Sequence, residues 1–130
     1  LAVPGAGFVG RGGARRRPTP PLEWATGELD RLERDVALER VVPAVGTDRL
    51  ASILREFTER RFSIPATRLT TSELRTACDV AGWPASRGEA LRDLLDPCDR
   101  AKFAGDAPDA NAALTLIFAA RAWLAGIEPP

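Results

Sequence analysis

Apolar residues recur at intervals of three and four along most of the chain, a pattern typical of amphipathic α-helices. The first such segment begins after Thr19-Pro20-Pro21, a capping hydroxyl followed by prolines suited to a first helical turn. One face of this segment carries Leu22, Ala25, Leu29, Leu32 and Val36. The spacing predicts a helix from there to about residue 41, where Pro43 and Gly46 are expected to end it.

Two further helices are predicted in the middle of the chain. The second runs from about Thr47 to Arg61, and Ser63-Ile64-Pro65 ends it. Its apolar face carries Leu50, Ile53, Leu54 and Phe57. The third begins at Thr70, because Thr70 and Glu73 have the spacing at which each side chain bonds a free backbone N–H of the first turn.

The last part of the chain predicts a fourth and a fifth helix. The fourth runs from about Ser86 to Phe103, and Pro97 inside it is expected to kink the helix or split it. The fifth is expected to start at Asp106, with Pro108 in its first turn. No segment has the strong apolar–polar alternation of a strand. We therefore predict an all-α fold, a compact bundle of about five short helices over residues 19–130.

Residues 1–18 form a leader that lacks this helical pattern. Its first ten residues are uncharged and mostly apolar, and Arg11 and Arg15-Arg16-Arg17 follow them. This order is the reverse of a signal peptide and fits the last turns of a membrane helix that leaves on the cytoplasmic side. Two interpretations stay open: a disordered leader, or the end of a transmembrane helix that begins upstream of Leu1.

The leader also contains a match to the dinucleotide-binding fingerprint G-x-G-x-x-G, from Gly5 to Gly10. That fingerprint needs a strand before it and a helix after it, so that the helix N-terminus meets the pyrophosphate. Only four residues precede Gly5, and Gly12, Gly13 and Pro18 follow where the helix should run. We therefore predict no bound cofactor here.

The composition argues against an enzyme. The 130 residues include no His and no Tyr, which removes the commonest general base and the commonest zinc ligand. The two cysteines, Cys78 and Cys98, lie on apolar faces and are expected to be buried small side chains without an activating base. Asp93, Asp96 and Asp99 could face one cation, but such a row is more typical of a solvated helix face, and we predict no metal site.

The charge distribution makes nucleic acid an improbable partner. The net charge is zero, but the leader carries four arginines and no acid, which leaves the rest of the chain at −4. Binding to phosphates needs an extended basic face, which an acidic body lacks. The alternative hypothesis is a soluble helix-turn-helix-like DNA-binding domain, and it requires a basic face around Arg61, Arg68 and Arg75.

Three stretches, Leu54 to Ala66, Thr70 to Leu74 and Leu94 to Ala104, resemble a family of bacterial single-span membrane proteins. The resemblance is to the C-terminal helical domain, whose patterns are R-x-Y-L-E-x-R-F-G-I-P-A, T-T-E-E-L and D-L-V-K-F-A. The genes of this family commonly lie next to those of a MoxR-type AAA ATPase and of von Willebrand factor A-type proteins, in loci of the Bat aerotolerance kind. Here Ser63 replaces the Gly of the first pattern, and Arg100-Ala101 replaces Leu-Val in the third.

The resemblance implies a membrane helix before Leu1 and a non-enzymatic interaction domain at the cytoplasmic face of the bacterial inner membrane. Its partner would be the MoxR-type ATPase or a von Willebrand factor A-type protein. The interaction candidates are Arg60, Arg61 and Lys102, the last beside Phe103, which is expected to be a core aromatic. The alternative is that all three cations simply favour helix C-termini. The tryptophans are either core anchors or interface residues: Trp24, Trp83 and Trp123.

Overall fold

The computed structural model describes residues 18–127, and α-helices make up most of that part. The helices are α1 (Pro21–Ala37), α2 (Pro43–Phe62), α3 (Thr71–Val80), α4 (Ala85–Phe103) and α5 (Ala110–Ala125), with a 3₁₀ turn at Ala66–Arg68 between α2 and α3. No strand occurs between residues 18 and 127, which confirms the all-α prediction. Residues 1–17 lie outside the described residues, and so do the two interpretations of the leader.

The connection between α1 and α2 differs from the prediction. Helix α1 ends at Ala37, about four residues early, and Glu39 adopts a left-handed backbone with φ of 57°. Pro43 does not end α1 as predicted but occupies the first turn of α2, where its missing N–H costs nothing. Arg49 of α2 bonds Asp35 of α1 at 2.9 Å, which ties the two helices together beside the turn.

Gly46, expected to break a helix, instead lies inside α2, next to Val36 of α1. A Cβ at this position would lie 2.8 Å from the Val36 Cγ2 atom, and real side chains do not come that close. The absence of a side chain at residue 46 therefore leaves the space that the Val36 side chain occupies.

We expect Gly46→Ala to lower the free energy of unfolding by about 1–2 kcal/mol, because the added methyl overpacks the α1–α2 contact. Gly27→Ala in α1 is the matched control. Its Cβ meets nothing within 4 Å, so it should raise stability by about 0.5–1 kcal/mol through helix propensity alone. Urea denaturation followed by circular dichroism measures both. Equal gains from the two substitutions would contradict the close contact at Val36.

The start of α3 agrees with the predicted capping box. Thr70 Oγ1 accepts a hydrogen bond from the Glu73 backbone N–H at 3.1 Å, and Glu73 Oε1 accepts one from the Thr70 N–H at 2.9 Å. At the end of α2, Ser63 takes the left-handed conformation with φ of 59°. Glycine is the residue best suited to that position, and this chain has Ser63 there.

The ends of α4 and α5 correct two expectations. Helix α4 continues through Pro97 without a break, so a split at this residue is wrong. The N-cap of α5 is Asp109, whose side chain accepts a hydrogen bond from the Ala112 N–H at 2.7 Å, and not Asp106. Gly105, with φ of 68°, follows the end of α4 as a left-handed glycine.

The hydrophobic core is built from the predicted apolar faces. Leu29, Leu32, Leu50, Leu54 and Phe57 are all fully buried. At one end of the core, Phe57 meets the rings of Phe62 at 6.2 Å and of Trp123 at 5.9 Å, both edge-to-face. Trp83 joins the same group, 4.7 Å from Phe62 and 6.1 Å from Trp123. Trp83 and Trp123 are therefore core anchors.

The bundle has two distinguishable ends. The start of α1, the end of α2, the start of α4 and the end of α5 meet at one end, where Trp24 contacts Arg60 and Arg87 faces Phe62 and Trp83. We call this the aromatic end. The start of α2, the start of α3 and the end of α4 meet at the other end, through the contacts described next.

Candidate interaction groove

A groove of about 640 Å³ opens between the first half of α2, the connection from the 3₁₀ turn to α3, and the last turns of α4. We call it the α2–α4 groove. Its charged lining residues are Asp48, Arg55, Arg68, Asp99 and Lys102. Its apolar lining includes Leu69 and Phe103, and Thr67, Thr70 and Thr71 supply hydroxyl groups.

Arg55 holds the wall of the groove in place. Its guanidinium donates to the backbone carbonyl oxygens of Ala66 at 2.8 Å and Leu69 at 2.6 Å, and to Thr71 Oγ1 at 3.0 Å. A planar guanidinium presents several N–H groups in a fixed fork, so one side chain satisfies three acceptors. The connection between α2 and α3 is therefore fastened to α2 at several points.

Three more hydrogen bonds to side chains complete this wall. Thr71 Oγ1 donates to Asp99 Oδ2 at 2.5 Å, which joins the start of α3 to α4. Glu59 Oε1 accepts from the Thr67 hydroxyl at 2.7 Å and from the Thr67 N–H at 3.2 Å. These bonds lower the pKa of the Glu59 carboxyl below its usual value, so it stays ionised at neutral pH.

The open side of the groove carries Lys102 and Phe103. Lys102 Nζ lies 3.4 Å from Asp48 Oδ1 and 5.4 Å from the centre of the Phe103 ring. Phe103 is 77% exposed, so the expectation that it belongs to the core is wrong. Phe103 is the last residue of α4, and α5 starts only at Ala110, so the ring stays uncovered at the groove.

The structure does not bring the three interaction candidates together. Lys102 lines the groove, whereas Arg60 and Arg61 lie at the end of α2 that belongs to the aromatic end. The Arg60 guanidinium stacks on the Trp24 ring at 4.2 Å and pairs with Glu56, and the Arg61 guanidinium lies 4.6 Å from the Phe62 ring. The role of each in binding stays a prediction.

The groove residue that the sequence interpretation missed is Arg55. A single Arg on a helix is most often a solvated side chain, and its three acceptors lie 11 to 16 residues further along the chain. One signal was present, because Arg55 occupies the first position of the family pattern. The stretches that resemble the family, with Arg55, Thr70, Thr71, Asp99 and Lys102, all contribute to this one groove.

Both cysteines are buried, which confirms the sequence interpretation. Burial raises the pKa of the Cys78 thiol to about 11 and that of the Cys98 thiol to about 12. Cys98 also directs its sulfur toward the Leu94 carbonyl oxygen, 3.4 Å away. At neutral pH both groups are thiols, which are poor nucleophiles.

Two of the three aspartates predicted to form a row on α4 contact other side chains of the protein. Asp99 accepts the Thr71 hydroxyl, and Asp93 lies 3.7 Å from Arg92. Among residues 18–127, no group of three or more His, Cys, Asp or Glu side chains is placed to hold a metal ion.

Helix α3 carries little basic surface. The Arg75 side chain is only 18% exposed, and its guanidinium lies between the carboxylates of Asp79 and Glu89. These partners raise the pKa of Arg75 and neutralise its charge locally, the hydrogen bond to Asp79 being the largest cause. The helix itself has two acids, Glu73 and Asp79, and one base. The arrangement therefore does not favour a basic recognition helix.

Comparison with known protein families, curated proteins and solved structures gives no match. No helix within the described range is both long enough and apolar enough to cross a bilayer. The function of the groove is therefore inferred from its own residues.

Proposed function

We propose that this chain carries a non-enzymatic protein-interaction domain, and that the α2–α4 groove is its contact surface. In the full proposal, the domain is anchored at the cytoplasmic face of the bacterial inner membrane. It contacts a MoxR-type ATPase or a von Willebrand factor A-type protein in an envelope assembly. The observation that carries the proposal is the exposed Phe103 beside Lys102 at the mouth of a braced groove.

An exposed aromatic ring at a groove favours a protein partner. Phe103 is 77% exposed, and burying an aromatic side chain removes about 150–250 Å² from water. Aromatic residues are enriched in the centres of protein interfaces, where a few side chains supply most of the affinity, and charged residues lie mainly at the rim. Phe103 supplies such a ring on α4, and Lys102 precedes it as a charge suited to the rim.

The groove is also organised before any partner arrives. Arg55 fixes the connection at Ala66, Leu69 and Thr71, so a partner does not have to order that wall. Preorganisation of this kind raises affinity because less conformational freedom is lost on binding.

The charges of the groove indicate the chemistry of the segment that binds it. Among residues 18–127, the one carboxylate that pairs with Lys102 is that of the exposed Asp48, at 3.4 Å, and such a surface pair is weak. A carboxylate on the partner can replace Asp48 as the counter-ion of Lys102, and Arg68 lines the same groove. The bound segment would therefore combine an apolar side chain, packed on Phe103, with an adjacent Asp or Glu.

We expect Phe103→Ser to weaken binding of the MoxR-type ATPase or the von Willebrand factor A-type protein by about tenfold or more, measured by calorimetric titration. Lys102→Glu should weaken it by a similar factor. The matched control is Phe118→Ser, because Phe118 is 75% exposed on α5 and does not line the groove. That variant should bind within about twofold of the wild-type chain.

Two outcomes would contradict the proposal. One is that neither purified protein binds the chain at concentrations up to about 100 μM, the weak end of specific contacts. The other is that Phe118→Ser weakens binding as much as Phe103→Ser. The anchor is tested separately by reading the coding sequence upstream of Leu1 and by fractionating cells that express the full protein. A soluble full-length product would contradict membrane attachment.

A further inference from the structure

We propose that the end of the bundle that holds the α2–α4 groove binds a second copy of this chain. The contact is an apolar patch at the turn between α1 and α2 and at the end of α4, made of Leu38, Val42, Val45 and Phe103. We call it the end patch. The dimer itself does not depend on the proposed protein partner, whereas its consequence for the groove rests on the proposed function.

Exposed apolar side chains concentrate at this end of the bundle. Of the six large ones that are exposed among residues 18–127, four belong to the end patch, and their exposed fractions range from 47% for Val45 to 77% for Phe103. The other two are Val80, at the end of α3, and Phe118, in the middle of α5. Single exposed apolar residues are normal on a protein surface, but a group of them marks a contact site.

The patch continues on both sides of one ion pair. Lys102 Nζ lies 5.4 Å from the centre of the Phe103 ring and 3.4 Å from Asp48 Oδ1. Val45 lies one helical turn before Asp48 on α2, a spacing that places two Cβ atoms about 5–6 Å apart. Phe103 therefore lies next to the cation of this pair, and Val45 lies next to its anion.

This order makes the patch complementary to itself. A two-fold axis sets the same surface of each copy against that of the other. If the axis runs in the contact plane between Lys102 and Asp48, then Lys102 of each copy meets Asp48 of the other copy. The same rotation places Phe103 of each copy against Val45 of the other. Apolar side chains and opposite charges are thus matched by one symmetry operation.

The charges around the patch favour a copy of the same chain. Exposed arginine and lysine side chains at this end each have a carboxylate nearby in the same copy. The distances are 3.6 Å for Arg40 to Asp35, 3.7 Å for Arg100 to Asp106 and 3.4 Å for Lys102 to Asp48. Like charges placed opposite each other would oppose association, and these balanced pairs avoid that cost when two copies meet.

The exposed area suits a small, reversible dimer. With 77% of its side chain exposed, Phe103 offers about 150 Å², and the four side chains together offer about 400 Å². A standard interface buries about 800 Å² on each copy, and about 65% of a homodimer interface is apolar. The end patch supplies most of that apolar area. We expect a dissociation constant of about 10–100 μM.

Such a dimer would regulate the groove. Phe103 belongs both to the end patch and to the lining of the α2–α4 groove, so a second copy covers the mouth of the groove. The second copy and the proposed protein partner then compete for the same ring. A high local concentration of the chain would therefore lower the affinity that the partner shows.

The test is sedimentation velocity of the full 130-residue chain between about 5 and 500 μM. Because the contact is mainly apolar, raising the salt from about 0.1 to 0.5 M should change the dissociation constant by less than about threefold. Val42→Ser with Val45→Ser should raise it at least about tenfold. Val42 is the N-cap of α2, where Ser is a preferred residue, so this variant keeps the start of the helix.

The matched control is Val80→Ser with Phe118→Ser, which removes two exposed apolar side chains outside the end patch. It should leave the dissociation constant within about twofold of the wild-type value. A wild-type chain that stays monomeric at about 500 μM would overturn the proposal. So would a dimer that survives the valine substitutions, that the control weakens equally, or that is lost at high salt.

The dimer and the proposed function can fail separately. Val42→Ser with Val45→Ser keeps Phe103 and Lys102, so the protein partner should bind this variant at least as tightly as the wild-type chain. Dimerisation without binding of either candidate protein supports the end patch and contradicts only the proposed function. Loss of partner binding in the valine variant would assign the patch to that partner and overturn the second copy.

Discussion

Arg55→Ala is expected to lower the free energy of unfolding by about 3 kcal/mol. The substitution removes the only donor that the structure gives the Leu69 carbonyl, and it also leaves Ala66 and Thr71 without their side-chain bond to α2. Hydrogen bonds from a charged donor contribute about 1.5–3 kcal/mol each, and water entering the partly exposed groove replaces some of that loss. Urea denaturation measures the change.

A local measurement distinguishes the loss of the Arg55 hydrogen bonds from a general destabilisation of the fold. Amide hydrogen exchange of residues 66–71 should speed up more than that of α1 or α5, because Arg55 fastens only that connection. Arg55→Lys should recover part of the stability, since one ammonium cannot reproduce the fixed guanidinium fork. Arg92→Ala is the control: Arg92 is exposed and pairs with Glu89, so its loss should cost at most about 0.5 kcal/mol.

The predicted helix faces were correct because they depend on local spacing. Leu29, Leu32, Leu50 and Leu54 recur at three and four, and any helix built from these residues must bury them on one side. The boundaries were less accurate, because Pro43 can begin a helix as well as end one. Gly46 was predicted to break a helix. Its actual role, leaving space between α1 and α2, depends on Val36, which lies ten residues earlier in the chain.

The residues of the α2–α4 groove were harder to predict from the sequence, because their roles also depend on contacts that are distant along the chain. Lys102 was identified through a family pattern, but Arg55 and Asp99 acquire their roles from partners 11 to 28 residues away. Periodicity carries no information on such distant contacts. Phe103 was expected in the core because it is aromatic, and only the path of the chain after α4 leaves it exposed.

Phe57→Ala is expected to be the most damaging substitution, lowering the free energy of unfolding by about 4 kcal/mol. The Phe57 side chain is fully buried, and its ring meets Phe62 and Trp123 edge-to-face. The substitution removes the buried ring, leaves a cavity, and removes aromatic contacts that contribute about 0.5–1.5 kcal/mol each. Such a loss is a large fraction of the about 5–15 kcal/mol that stabilises a typical domain.

Two variants make the Phe57 prediction decisive. Phe57→Leu should cost about 1–2 kcal/mol, because it keeps most of the apolar volume and loses the ring contacts, and it can be measured even if the alanine variant does not fold. Phe118→Ala, at a 75% exposed position, should change stability by less than about 0.5 kcal/mol.

Phe57 belongs to the same cluster as Trp123, so near-ultraviolet circular dichroism of the tryptophans should change with Phe57→Leu and not with Arg55→Ala. Equal spectral changes in both variants would contradict the separation of the aromatic end from the α2–α4 groove.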